Sequence, residues 1–199
     1  GPQYMQTAVL LIMSMTFSEK FTYVVTKKSL EETVAYMEEH GVRPEFQGHA
    51  YSGIKDVKDW LVETGIARHP AIMNIMCGFH GFNHATPVGP DPWNYVNVMS
   101  LYQTLPENGV RGFCAGGRNW LPFTVLGIMM GVDMVRVGME DSVFVYPHQD
   151  RKLKSSAEAV ELVVGIAQSM GREIATSNEA REILGIAPQA AAEPEAKAG

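Results

Sequence analysis

The sequence lacks most of the features that mark metal-binding and redox proteins. It contains only two cysteines, Cys77 and Cys114, and each lies in an apolar run, as expected for buried thiols in a reducing compartment. No CxxC, HxH or HExxH spacing occurs, so the sequence contains no complete metal site. The glycine-rich segments also lack GxGxxG spacing and a Walker lysine.

Long apolar runs and an excess of positive charge are absent as well. The longest apolar stretch, Ala8 to Met13, is far too short to span a bilayer, and no signal peptide is visible. A net charge of −6 argues against a nucleic-acid or membrane surface. We therefore expect a soluble, cytoplasmic protein that acts on small molecules. The chain begins with Gly1-Pro2 rather than Met, which indicates a fragment or a sequence left by cloning.

Five apolar segments have the length and composition of buried strands. They cover residues 7–17 (a strand followed by a loop), 42–46, 71–77, 109–115 and 134–138. Helices alternate with these strands. The first predicted helix is opened by a capping box at Ser29 and closed by Gly41, and the second is capped by Asp56 and closed by Gly65. The others are Trp93 to Leu105, Leu121 to Met130, Ser155 to Met170, and about Ser177 to Leu184, the last with a capping box of Thr176 and Glu179.

Strict alternation of strands and helices predicts a parallel α/β sheet. Two architectures fit the count: a five-stranded doubly wound sheet, or part of a (β/α)₈ TIM barrel, which usually needs about 250 residues. We expect one domain over residues 1–187. The Ala/Glu/Pro-rich tail over residues 188–199 is predicted to be disordered.

The segment Gly131 to Phe144 has the strongest candidate site residues. Its apolar run ends in two adjacent carboxylates, Glu140 and Asp141, at the strand end where parallel α/β proteins place their ligands. Strand alternation would put Arg136, Gly138 and Glu140 on one side. A structural ion pair at the strand end is the alternative, because structural pairs also perturb ionisation.

Three further groups of residues are candidates, each with an ordinary structural alternative. The Gly116-Gly117-Arg118 turn before a helix suits an anion, but is also a plain turn. Glu45 is a carboxylate at a strand position, which suits a polar site or a solvated edge. Histidines in loops after strands could be ligands or bases, or surface residues; these are His49, His80, His84 and His148.

Several motifs together resemble the β-keto acid cleavage enzyme family. Arg136 to Asp141 (RVGMED) is similar to the family's RVGLED signature, and Gly41 to Glu45 is similar to its G-x-x-P-E strand. The Gly116-Gly117-Arg118 turn resembles its glycine–arginine loop, and the segment from Gly171 to Gly185 resembles its C-terminal helix. The resemblance covers roughly residues 5–187.

The resemblance implies a zinc-dependent TIM-barrel enzyme with a retro-Claisen type of reaction. A β-keto acid and acetyl-CoA would give acetoacetate and a new acyl-CoA. It implies that Glu140 is a zinc ligand and that Arg136 and Asp141 form a charge-coupled catalytic pair. Glu45 is then a further catalytic carboxylate, and Gly116, Gly117 and Arg118 bind substrate or CoA.

The departures from the family pattern are also informative. The family's His-x-His pair of zinc ligands is absent, which implies that this chain supplies strands four to eight only. Gln47 stands where a second acid is usual, and Ser142 replaces an Asn. We therefore predict negligible activity for the isolated chain, because one carboxylate does not hold a catalytic zinc.

Two other functions remain open from the sequence. One is a metal-dependent aldolase or lyase of the same barrel class that does not use CoA. The other is a non-catalytic part-barrel that assembles with a partner chain or with itself, because an open parallel sheet exposes unpaired edges. In either case we expect a homo-oligomer.

Overall fold

A five-stranded parallel sheet forms the centre of the computed structural model, which describes residues 7–11, 15–18, 21–78 and 92–188. The strands are β1 (Thr7–Leu11), β2 (Met15–Ser18), β3 (Phe21–Tyr23), β4 (Arg43–Gly48), β5 (Ile72–Cys77), β6 (Val110–Ala115) and β7 (Met134–Arg136). The main sheet has the order β1-β4-β5-β6-β7, and every neighbouring pair is parallel. The predicted parallel α/β fold is confirmed.

The order of the strands separates the two architectures that fit the sequence. Each strand of the main sheet lies beside the next main-sheet strand along the chain. A doubly wound sheet reverses direction at a switch point, whereas barrel strands follow one another in sequence. The sheet is therefore an arc of the barrel type. Its assignment to strands four to eight of a barrel stays a prediction.

The first four helices lie between consecutive strands of this arc, and the last two follow β7. They are α1 (Lys27–Glu39), α2 (Tyr51–Val57), α3 (Pro92–Tyr102), α4 (Trp120–Met129), α5 (Ser156–Ser169) and α6 (Ser177–Ile183), with a π-helical segment, Lys58–Val62, continuing α2. Glycines with positive φ follow several helix ends, as at Gly41 (φ 71°) and Gly65 (φ 75°), both of which were predicted to close helices. No helix in the described part of the chain is long and apolar enough to cross a membrane.

Strand alternation divides the sheet into two faces. Phe46, Ile75 and Phe113 point to the same side and share one hydrophobic cluster with α1 to α5. We call this side the helix face. The alternate residues lie on the opposite side, which we call the site face; these are Glu45, Gln47, Asn74, Cys114 and Arg136. The core is thus between the sheet and its helices, and the polar residues face away from it.

Several local predictions were wrong, each for a local reason. Thr26, and not Ser29, caps α1, because Ser29 occupies the third position of the box and bonds back to Thr26. Asp56 lies inside α2, whose cap position is Ala50.

The N-terminal region contains a structure that the sequence pattern did not indicate. Residues after β1 were predicted to form a loop, but β2 and β3 pair as an antiparallel hairpin outside the main sheet. Predictions for His80, His84 and the tail from residue 189 onward fall outside the described residues. The last helix is confirmed as Ser177–Ile183, with the predicted capping box of Thr176 and Glu179.

Candidate active site

A tight turn at the end of β7 brings the predicted pair together. The strand ends at Arg136, and the amides of Asp141 and Ser142 both donate to the Gly138 carbonyl at 3.2 Å. Strand alternation therefore does not continue to Glu140, as we had expected. It is the turn that folds the two carboxylates back over Arg136.

One guanidinium contacts both carboxylates. Arg136 donates to Asp141 through Nε at 3.2 Å and Nη2 at 3.0 Å, and to Glu140 through Nη2 at 2.9 Å. The Asp141 side chain is only 5% exposed, whereas that of Glu140 is 84% exposed. The two neighbouring acids therefore differ in environment: Asp141 is held by a two-point bond in a buried position, and Glu140 reaches into solvent.

Burial changes the acid–base properties of this pair. It raises the pKa of Asp141, because a buried carboxylate is costly to ionise, although the charge of Arg136 acts in the opposite direction. Burial disfavours the Arg136 cation, but Asp141, Cys114 and Glu140 together outweigh it, so the pKa of Arg136 is raised. A carboxyl group with a raised pKa is better matched to proton transfer near neutral pH.

Cys114 completes the buried side of the pair. It is the register partner of Arg136 across β6 and β7, and its thiol hydrogen-bonds to Asp141. Burial raises the pKa of the Cys114 thiol and the Asp141 carboxylate raises it further, so the group stays protonated. Cys114 is therefore a neutral partner of the acid.

The glycine turn after β6 supports the acidic turn through its backbone. The Gly117 amide donates to the Asp141 carbonyl at 2.8 Å, and the Gly116 amide donates to the Cys77 carbonyl at 2.8 Å. Gly117 has a φ of 72°, a conformation that glycine adopts without strain. These two backbone amides of the predicted anion site therefore donate to carbonyls of the chain itself.

Arg118 holds the loop that follows the signature. It donates to the carbonyls of Pro147 at 2.8 Å and Gln149 at 3.1 Å, and it pairs with Asp150. Its guanidinium also lies 4.0 Å from the centre of the Phe144 ring. Arg118 thus fixes one wall of the site by contacts within the chain.

A cleft of about 430 Å³ opens beside the acidic turn. Its lining residues are Gly78, Gly117, Arg118, Met139, Glu140, Asp141, Ser142, Val143 and Phe144. The structure therefore brings four of the predicted site residues to one cavity, and two of them, Glu140 and Asp141, accept hydrogen bonds from Arg136.

Glu45 lies on the site face but away from this turn. It accepts a hydrogen bond from the Asn74 side-chain amide at 3.1 Å. Its strand, β4, is three strands from β7, which corresponds to about 14 Å along the sheet. Among the described contacts Glu45 is linked to Asn74 and not to Arg136, so it is a separate part of the face.

The described residues do not by themselves fit a zinc site. Zinc usually takes four ligands, with at least three from the protein. In the described ranges no group of three His, Cys, Asp or Glu side chains is arranged to hold a metal. Glu140 is the one predicted ligand in this part of the chain, and one of its oxygens contacts Arg136.

Two residues of the site face were not predicted from the sequence. Asn74 was hidden within an apolar strand, where its polarity was the only signal. Cys114 was interpreted as a buried apolar residue, and only strand register places it beside Arg136 and Asp141. Of the predicted histidines, His49 is buried and His148 lies in the loop held by Arg118.

Comparison with known proteins supports one family. The family profile described as beta-keto acid cleavage enzyme matches residues 3–186. The 3-keto-5-aminohexanoate cleavage enzyme of Acetoanaerobium sticklandii is 34% identical over 164 residues, which is 82% of this chain and 56% of that protein. The 3-dehydrocarnitine:acetyl-CoA trimethylamine transferase of Rhizobium meliloti is 30% identical over 165 residues, covering 81% and 50%.

Solved structures agree on the fold. The apo structure of ObcA aligns with a TM-score of 0.70 at 17% identity, covering 90% of this chain and 44% of that one. Its binary complex with oxaloacetate aligns equally well, with a TM-score of 0.70 at 16% identity, covering 90% and 45%. This chain spans about half the length of the curated relatives that it matches.

Proposed function

The chain belongs to the β-keto acid cleavage enzyme family, and we propose that it carries the proton-handling residues of an enzyme that cleaves a β-keto acid with acetyl-CoA. The products would be acetoacetate and a new acyl-CoA. The observation that carries the proposal is the two-point bond between Arg136 and the buried Asp141 at the edge of the cleft. One relative is named a 3-dehydrocarnitine:acetyl-CoA trimethylamine transferase, which supports the choice of co-substrate.

The reaction begins with loss of a proton from the substrate. Asp141 accepts a proton from the carbon between the keto and carboxylate groups, and its raised pKa supports this role. Arg136 keeps the carboxyl group in position through two hydrogen bonds and places a positive charge beside the developing enolate.

Carbon–carbon exchange follows from the enolate. Its carbon attacks the acetyl carbonyl of acetyl-CoA, and a new carbon–carbon bond forms as the CoA thiolate leaves. The thiolate then attacks the original keto carbon, and the bond from that carbon to the former enolate carbon breaks. The acyl group leaves as acyl-CoA, and the carbanion left behind takes back the proton held by Asp141 to give acetoacetate.

The other predicted site residues have supporting roles in this proposal. Gly117 and Arg118 line the cleft and Gly116 anchors the turn, which supports contact of this turn with substrate or CoA. Glu45, oriented by Asn74, is proposed as a further catalytic carboxylate on the site face.

Zinc dependence also remains a proposal, with Glu140 as one ligand. The exposed carboxylate at the edge of the cleft supports it, whereas the described residues offer no group of three ligands that includes it. Metal content of the purified protein tests this. We expect any bound zinc to be lost in Glu140→Gln and retained in Glu182→Gln, a matched change on α6. Stoichiometric zinc and turnover in this chain alone would contradict the prediction that the isolated chain is inactive.

The central experiment measures acetoacetate formation from a panel of β-keto acids with and without acetyl-CoA. The proposal expects formation only with acetyl-CoA, and a loss of at least about 100-fold in Asp141→Asn. Turnover that does not need acetyl-CoA would favour an aldolase or lyase instead. Because the isolated chain is predicted to be nearly inactive, the assay is repeated with a full-length relative carrying the equivalent substitution.

The open edges of the sheet support a proposal on assembly. In the described residues β1 and β7 each pair with one neighbour only. Unpaired strand edges favour association with another chain. We therefore propose a homo-oligomer, and a sizing measurement that gives a clean monomer would contradict it.

A further inference from the structure

Two buried side-chain amides lie next to each other on the site face. Gln47 on β4 and Asn74 on β5 are register partners, and they are 4% and 0% exposed. The Gln47 Nε2 and Asn74 Oδ1 atoms are both buried, and neither has a hydrogen-bond partner among the described residues. Buried polar atoms without partners are rare in folded proteins, so this pair points to a ligand.

The orientation of the Asn74 amide is determined by its neighbours. Its nitrogen donates to Glu45 at 3.1 Å, which leaves the oxygen as the available acceptor. Gly112 is its register partner on β6, and a Cβ added there would lie 3.1 Å from the Asn74 Cγ and Oδ1 atoms. Because Gly112 has no side chain, the Asn74 amide fits beside it without a clash.

The pair lies within reach of the acidic turn. Cys114, two residues beyond Gly112, hydrogen-bonds to Asp141. Strand geometry places the Cα atoms of Asn74 and Cys114 roughly 8 Å apart. The two amides therefore share the site face with the Cys114–Asp141 contact.

We propose that Gln47 and Asn74 form a subsite that binds a hydroxyl group on the substrate; this deepens, and rests on, the proposed function. A hydroxyl oxygen accepts from Gln47 Nε2 while its proton is donated to Asn74 Oδ1, so one group satisfies both atoms. A methyl group satisfies neither. An ammonium group has no lone pair to accept from Gln47 Nε2, and its N–H groups would face that N–H donor.

The test uses three acids that differ in one group. These are 5-hydroxy-3-oxohexanoate, 5-methyl-3-oxohexanoate and 5-amino-3-oxohexanoate, with dissociation constants measured by calorimetry on the purified chain. We expect the hydroxy acid to bind about tenfold more tightly than either of the others. Equal binding of the three, binding of none, or preference for the amino acid would overturn the subsite.

Variants separate binding from folding. In Gln47→Leu the hydroxyl preference should disappear while the melting temperature stays unchanged or rises, because Nε2 has no protein partner to lose. Gln47→Glu should shift the preference to the amino acid. Gln168→Glu, on the exposed surface of α5, makes the same charge change and should shift nothing. A drop in melting temperature with retained preference in Gln47→Leu would assign a structural role instead.

Failure of the subsite and failure of the proposed function give different results. Selective binding without acetoacetate formation, even in the full-length relative, would support the subsite and contradict the proposed function. Acetoacetate formation with equal kcat/KM for all three acids would support the proposed function and contradict the subsite.

Discussion

The two faces of the sheet are built from the same strands and differ in what their side chains do. On the helix face, Phe46, Ile75 and Phe113 are fully buried against helices. On the site face, Asn74 is equally buried but carries an unpaired acceptor, and Asp141 is a buried acid. Buried residues thus stabilise the fold on the helix face, whereas on the site face burial changes the pKa and the hydrogen bonding of polar groups.

The largest effect on stability should come from the helix face. Phe113→Ala removes a fully buried ring that packs against Gly127, where an added Cβ would lie 2.9 Å from the ring. We expect the free energy of unfolding to fall by about 3–5 kcal/mol, because both burial and packing are lost. Urea denaturation measures this. Val160→Ala, at a site 46% exposed, is the control and should change it by less than about 1 kcal/mol.

The pH dependence of stability comes from a buried histidine after β4. Burial lowers the pKa of His49 from 6.5 to about 4, so the unfolded chain takes up a proton first as the pH falls. The contribution of His49 is complete above pH 6.5 and is lost as the pH falls towards 4, by about 3 kcal/mol.

Urea denaturation between pH 7 and pH 4 checks this expectation. The His49→Gln variant should lose less stability over that range than the parent chain, because glutamine does not titrate. An identical pH dependence in both proteins would show that other groups cause the loss.

The acidic turn should show a moderate effect on stability. Asp141→Asn removes the negative partner of Arg136 but keeps the shape of the side chain. We expect a loss of about 1–2 kcal/mol, because a charged hydrogen bond is lost while the cost of burying the carboxylate is also removed. Thermal and urea unfolding measure it. A loss as large as that of Phe113→Ala would show that the turn is part of the stabilising core.

The smallest effect should come from the neighbouring acid. Glu140→Gln breaks an ion pair whose acidic side chain is 84% exposed. Exposed pairs contribute little, so the free energy of unfolding should change by less than about 0.5 kcal/mol. The comparison with Asp141→Asn, one residue away, tests whether burial rather than charge sets the contribution. Equal losses in the two variants would contradict it.

Much of the fold could be predicted from local pattern. Four of the five parallel strands matched their predicted segments closely, and the boxed start of α6 at Thr176 was confirmed. Local errors arose where two residues compete for one role, as Thr26 and Ser29 do at the start of α1. The β2–β3 hairpin was missed because its strands are only three or four residues long.

The candidate site was predicted in part. The signature indicated Arg136, Glu140 and Asp141, and the structure brings these three together. The backbone bond from Gly117 to Asp141 and the thiol contact of Cys114 could not be predicted, because they join segments that are distant in sequence. Arg118 illustrates the same limit, since its acceptors lie about thirty residues away.

The sequence by itself determined the alternation of strands and helices, the family and the identity of the acidic pair, because periodicity and short motifs are local properties. Only the tertiary structure decided the rest. Strand order selected the arc over the doubly wound sheet, and burial made Asp141 and Glu140 different acids. Register placed Gln47 beside Asn74. These outcomes depend on which distant segments meet, and hence on packing and exclusion of water.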